Sequence, residues 1–83
     1  MNPDSRWRLT VGEPNWATLE SALPREECEE YMYMGRAGEI ELYKHRWTRR
    51  YINIAADGQT FYHYFGDMFV EVERAVALDH VRN

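Results

Sequence analysis

The stretch Tyr51-Ile52-Asn53-Ile54-Ala55-Ala56-Asp57-Gly58-Gln59-Thr60-Phe61-Tyr62-His63-Tyr64-Phe65-Gly66-Asp67-Met68-Phe69-Val70-Glu71-Val72 decides the fold. Three runs rich in β-branched and aromatic residues are parted by Asp57-Gly58 and Gly66-Asp67, dipeptides suited to tight turns. Asp-Gly is a strong hairpin signal, because both central residues of a type I′ turn need positive φ. A two-residue turn there places Ile54 opposite Phe61, Asn53 opposite Tyr62, Ile52 opposite His63 and Tyr51 opposite Tyr64. Opposed residues share a face, so Ile52, Ile54, Phe61, His63 and Phe65 form the expected core face, while Tyr51, Asn53, Tyr62 and Tyr64 point the other way. Read as a type II′ turn with Gly first, Gly66-Asp67 pairs Tyr64 with Phe69, His63 with Val70 and Phe61 with Val72. Val70 and Val72 then fall on the same core face. Two turns read independently agree on an antiparallel meander. A rival pattern, with Asp67 as N-cap and Met68, Phe69, Val72, Ala75 and Val76 on one helical face, would make 67–81 helical throughout. The preferred reading is a strand over 68–72 and a short helix over 74–82.

Upstream, Tyr31, Met32, Tyr33 and Met34 alternate with period two, as do Glu39 to Tyr43, so both runs read as strands joined by a four-residue loop, Gly35-Arg36-Ala37-Gly38. The turn near Arg46 to Arg49 lacks Gly, Pro, Asn and Asp. Before the strands, Asn15 can cap a helix carrying Trp16, Leu19 and Leu23 on one face, and Pro24 suits the first turn of a second or kinked helix. Residues 1–14 read as a loosely held arm, although Trp7, Leu9 and Val11 alternate well enough to add an edge strand. The expected organisation is one domain over 1–83: arm 1–14, helical 15–30, β-meander 31–72, C-terminal helix 74–82. Its class is α+β, with a meander of four or five strands.

The chain has 83 residues, 45% of them hydrophobic and 29% charged, as in an ordinary globular domain. A domain of this size buries only roughly 60% of its unfolded surface, which leaves few positions for chemistry. Cys28 is the single cysteine, so no intramolecular disulfide can form; with no signal-peptide pattern and no apolar run of membrane-span length, the expected location is the cytoplasm, with no membrane partner.

Charge is uneven. Residues 1–43 sum to −5 and residues 51–83 to −3, while Lys44-His45-Arg46-Trp47-Thr48-Arg49-Arg50 carries four cations and no acid. No catalytic constellation accompanies it. Ser5 and Ser21 lack any nucleophile motif, and Cys28 sits among Glu26, Glu27, Glu29 and Glu30, which disfavour a thiolate. His45, His63 and His80 are too far apart for a short zinc-ligand pair. No enzyme activity, cofactor or metal is therefore expected.

The basic segment is the one purposeful feature. Arg46 and Arg49 flank Trp47 at a hairpin loop, with Lys44 and Arg50 beside them, and Tyr51, Tyr62 and Tyr64 share the outward sheet face, with Tyr43 able to join them. Guanidinium groups beside aromatic rings suit a protein hot spot. The expected function is a non-enzymatic accessory or regulatory binding module that docks on a protein partner through Lys44, Arg46, Trp47, Arg49, Arg50, Tyr51, Tyr62 and Tyr64. The same residues could take single-stranded nucleic acid, rings stacking on bases and cations on phosphates, although no RNP-type run is present and the acidity elsewhere opposes it. An exposed aromatic face could also pair two copies of the chain. The plainer readings are a second core layer for the tyrosines, if the N-terminal helix covers them, and ion pairs with the acidic helix for the cations.

Overall fold

A computed structural model describes residues 9, 10 and 12–83. Six antiparallel strands lie in chain order: β1 (Leu9–Thr10), β2 (Tyr31–Ala37), β3 (Ile40–His45), β4 (Tyr51–Ala55), β5 (Phe61–Phe65) and β6 (Met68–Val72). Two short helices, α1 (Ala17–Ala22) and α2 (Arg25–Cys28), precede β2, and α3 (Arg74–Arg82) follows β6. The protein is a small α+β domain whose β2–β6 meander accords with the sequence pattern. Residues 67–81 are not one helix: the strand reading of 68–72 holds. Leu9 and Thr10 of the arm pair with Ala37 and Arg36 as an edge strand, while the expectations for residues 1–8 and 11 lie outside the described residues.

One face of the sheet carries the helices and the core. Tyr31, Tyr43, Ile52, Ile54 and Phe61 project from it onto Leu19, Ala22 and Leu23 of the α1 region, Cys28 of α2, and Ala77, Leu78 and Val81 of α3. Full burial of one aliphatic side chain of this kind is worth about 1.5 to 3 kcal/mol. α1 stops because Pro24 disfavours helical dihedrals in the residue before it, and Leu23 is extended at φ −131°, ψ 154°. Arg74 Nη2 caps the helix end by donating to the Ala22 carbonyl at 2.6 Å. Asn15 is not the N-cap. That position is Trp16, and Asn15 instead donates to Thr18 Oγ1 and accepts the Tyr43 hydroxyl at its carbonyl.

Three hairpins differ from their expected turns. β2 runs through Gly35-Arg36-Ala37 instead of turning there; a bulge between Tyr33 and Gly35 shifts the register, and the turn is Gly38-Glu39. Gly35, at φ 117°, supplies the backbone freedom the bulge requires, and the shift brings Arg36 opposite Glu41. At Asp57-Gly58 only Gly58 has positive φ, 75°, so the turn is not type I′. The loop spans 56–59, with Ala55 N–H donating to the Thr60 carbonyl and Asp57 Oδ1 accepting from the Gln59 and Thr60 amides. Side-chain capping by Asp replaces the second left-handed residue. The register survives at Ile54↔Phe61 and Asn53↔Tyr62, because the longer loop is centred on the same two residues. Gly66 and Asp67 both have positive φ, 58° and 65°, which makes that turn type I′ rather than II′, with the expected register from Phe61↔Val72 to Tyr64↔Phe69.

Two expected pairs do not form. The β4–β5 ladder ends at Asn53↔Tyr62, so Ile52 and His63, and Tyr51 and Tyr64, are unpaired and the two strands part. Asn53, buried on the outer face, donates its Nδ2 to the Tyr62 carbonyl where the ladder stops. Tyr43 is likewise not an outer-face residue: it pairs with Ile52 and is fully buried under Trp16.

Candidate docking site

The loop between β3 and β4 is built by a side chain. His45 Nδ1 accepts the backbone N–H groups of Trp47 and Thr48, at 3.1 and 3.2 Å, as an N-cap oxygen would. Arg49 N–H donates to the His45 carbonyl, His45 N–H to the Arg50 carbonyl, and Arg49 takes φ 65° to close the loop. Thr48 Oγ1 donates to the Val81 carbonyl at 2.7 Å, fastening the loop to the last turn of α3.

This geometry divides the basic segment. Arg46 N–H donates to the Glu30 carbonyl, and the Trp47 indole donates to Glu30 Oε2 at 2.6 Å, so both turn toward α2. Trp47 is nevertheless 73% exposed. Arg46 lines a groove with Trp16, Glu20, Arg25 and Glu29 on the helical side. Arg49, Arg50 and Tyr51 face the opposite way. Lys44 stands 5.9 Å over the Tyr51 ring. No ion pair among the described residues involves Lys44, Arg46, Arg49 or Arg50; those present are Arg36–Glu41 and Arg82–Glu27. The acidic helices therefore do not neutralise the basic segment by direct contact.

Where β4 and β5 part there is a cleft of about 610 Å³. Tyr51, Tyr64, Phe69 and Leu42 wall it from the outer face, and His63, Phe65 and His80 from the helical side, with Arg49 and Arg50 beside them. Tyr64 packs on Phe69 with ring centroids 4.9 Å apart, and Tyr62 meets the same ring edge-on at 6.5 Å. The helices leave Tyr51 and Tyr64 exposed, so these two do not belong to a second core layer. Of the eight sequence-predicted residues, Arg49, Arg50, Tyr51 and Tyr64 gather at this cleft, Lys44 and Tyr62 flank it, and Arg46 and Trp47 lie elsewhere.

His63 and His80 escaped sequence reasoning as site residues. Their rings lie 4.7 Å apart, and Arg50 Nη1 is 3.4 Å from His80 Nδ1. Burial, then His63 and Arg50, hold the His80 imidazole below its ordinary pKa, opposed by Asp79. His63 Nε2 is buried without a hydrogen-bond partner among the described residues. The available signal was the placement of His63 on the inward face, where a polar ring needs a partner. Its meeting with His80 depends on how α3 folds back.

No group of three metal-ligating side chains occurs among the described residues, and none of their helices is long and apolar enough to cross a membrane. Burial, followed by Glu20 and Glu27, pushes the Cys28 thiol up, the direction opposite to an activated nucleophile. No protein-family model, curated protein or solved structure matches the chain.

Proposed function

We propose that this protein is a non-enzymatic accessory or regulatory binding module that docks on an acidic segment of a protein partner at the β4–β5 cleft. One observation carries this reading. Every ionisable acid–base side chain at the cleft other than tyrosine is Arg or His, although the chain as a whole has a net charge of −4. Opposed charge on the partner would speed encounter and select its orientation, while the aromatic walls supply contact area. Tyr64, 55% exposed, and Tyr51 serve as anchors, and Arg49 and Arg50 as the charged mouth. The nucleic-acid alternative draws on Lys44, Arg49, Arg50, Tyr51 and Tyr64 but loses Arg46 and Trp47, which turn to the other side.

The test places a photoreactive phenylalanine analogue at Tyr64, with Glu20 as control, in cells producing the protein. The expected result is a protein adduct at position 64 only, diminished by Arg49→Ala with Arg50→Ala, whose sequenced peptide carries Asp or Glu beside the adducted residue. A nucleic-acid adduct, an adduct to a second copy of this chain, or one insensitive to the arginines would overturn the reading.

A further inference from the structure

The cleft has an inner corner with a chemistry of its own. Arg50 reaches it from the residue before β4, His63 from the inner face of β5 and His80 from the last turn of α3. We infer that this Arg50–His63–His80 corner binds an oxyanion carried next to an aromatic ring, the ring lying between Tyr51, Tyr64 and Phe65. The inference deepens the docking reading and rests on it, by assigning the group that the partner must present.

Three nitrogen-bearing side chains, Arg50, His63 and His80, converge at the cleft, whose lining among the described residues holds no carboxylate. Arg50 Nη1 lies 3.4 Å from His80 Nδ1, and in the tautomer that accepts from the guanidinium His80 carries its proton on Nε2, while His63 Nε2 is buried without a partner among the described residues. Two imidazoles and a guanidinium at these distances repel one another in their charged forms. Asp79 lines an adjoining groove together with Arg50, His63 and His80 but does not line the cleft itself, and its Oδ1 accepts from Asn83 Nδ2 at 2.9 Å. An oxyanion in the cleft supplies several lone pairs to the Arg50 guanidinium and to the imidazole N–H beside it, and the planar guanidinium fits carboxylate and phosphate alike. The adverse end of the α3 dipole is partly engaged, since Thr48 Oγ1 donates to the Val81 carbonyl and Asn83 Nδ2 to that of Asp79. Burial is the larger cause of the depressed basicity of His80, and the neighbouring His63 and Arg50 add to it, the sign expected where cationic groups crowd together.

The second requirement comes from the walls. A cleft of about 610 Å³ lies within the range of small-ligand pockets, and aromatic rings favour edge or offset contacts with another ring. A bare anion satisfies the donors but leaves the walls uncovered. A neutral aromatic does the reverse. Phenyl phosphate and phenylacetate carry both halves, one standing for a phosphorylated side chain and the other for a carboxylate.

The experiment follows the His63 and His80 ring protons of the whole protein by NMR while phenyl phosphate, phenylacetate, benzyl alcohol and inorganic phosphate are added separately. The expected outcome is saturable shifts of both rings with the two aromatic anions, at concentrations on the order of 1 mM, and at least about ten-fold weaker binding of benzyl alcohol and of phosphate alone. Tighter binding of phenyl phosphate assigns a phosphorylated group, and tighter binding of phenylacetate a carboxylate. Arg50→Ala should weaken the aromatic anions about ten-fold, whereas Arg25→Ala, on α2, should leave them unchanged. Benzyl alcohol binding as well as the anions, or anion binding that leaves both rings unshifted, overturns the assignment. If that happens while position 64 still cross-links to an acidic protein segment, the docking reading stands and the oxyanion corner falls. The ring shifts are read on the wild-type chain, so a variant that fails to fold does not decide the matter.

Discussion

Replacing Tyr33 by Phe isolates one interaction in the bulged β2–β3 hairpin. The Glu41 side chain is only 2% exposed, and its two oxygens accept from Tyr33 Oη and Arg36 Nε, each at 2.6 Å. A hydrogen bond to a charged group is worth about 1.5 to 3 kcal/mol, because loss of the donor strands a desolvated carboxylate oxygen. Tyr33 is half-buried, so water reaches part of the gap and the lower half of that range applies, about 1.5 to 2 kcal/mol. For 83 residues the unfolding entropy at the midpoint is about 0.17 kcal/mol/K, so Tyr33→Phe should lower Tm by about 10 °C. Thermal unfolding followed by circular dichroism, with coincident tryptophan fluorescence as the two-state check, measures it. In a Glu41→Gln background the same change should cost less, because a neutral amide oxygen binds the hydroxyl more weakly. A drop of less than about 3 °C, or full additivity of the two substitutions, would refute the argument that the buried carboxylate depends on that hydroxyl.

Three further outcomes follow from the same structure. Gly58 has φ 75°, and a Cβ there would lie 2.3 Å from Ser21 Oγ, whereas Gly66, at φ 58°, has nothing within 4 Å; Gly58→Ala should therefore cost about 1 kcal/mol more than Gly66→Ala in denaturant titrations, since the Ser21 hydroxyl must leave its hydrogen bond to the Thr18 carbonyl. Burial first, then the Glu27 charge at Tyr31 and the hydrogen bond to Glu41 at Tyr33, raises both hydroxyls to about 12, so the unfolded chain loses these protons before the folded one does. Stability is full below about pH 10 and declines as pH rises toward the folded values, and tyrosinate absorbance should climb together with loss of near-ultraviolet dichroism; ionisation of these two tyrosines near pH 10 in a still-folded chain would be the contrary result. His80 runs the other way: with its folded pKa below 6.5, its contribution is present above that pH and lost as pH falls through the depressed value. Tm should drop between about pH 7 and pH 5, and less so in His80→Gln, whereas Glu27, lowered by Arg82, loses its contribution only below about pH 4.5.

Much of the sheet was legible because pairing parity survives errors in turn type. The loop at Asp57-Gly58 is longer than a two-residue turn, yet it is centred on the same pair, so Ile54 still opposes Phe61. At Gly66-Asp67 the handedness of the second residue was misjudged, and the register is unaffected because two residues turn the chain in either type. The bulge at Met34 was hidden for the opposite reason: an extra residue breaks the period of two without leaving a compositional mark, and Gly35 looked like a turn. The loop at Arg46 to Arg49 lacked turn residues because His45 performs their task through Nδ1, a pattern absent from local propensities. For the site, the cations of 44–50 and the outward tyrosines could be picked out, but not their separation. Arg46 and Trp47 follow Glu30 to the helical side, and the cleft arises from two β4–β5 pairs that do not form. Both depend on contacts between segments distant in sequence.

Strand order equals chain order from β1 to β6, and this governs how the chain finds its fold. Each strand from β3 onward pairs with the one just made, across a turn of a few residues, so each step closes a short loop and loses little chain entropy. Assembly can propagate from one hairpin to the next, and such local pairing favours speed over the rates typical of sheets joined by long crossovers. The distant contacts come with α3: Arg74 to Ala22, Thr48 to Val81 and Arg82 to Glu27 join segments 33 to 55 residues apart. A chain shortened before Arg74 would keep its hairpin turns but expose Ile52, Ile54 and Phe61, so its sheet should form quickly and remain soft, with rapid amide exchange.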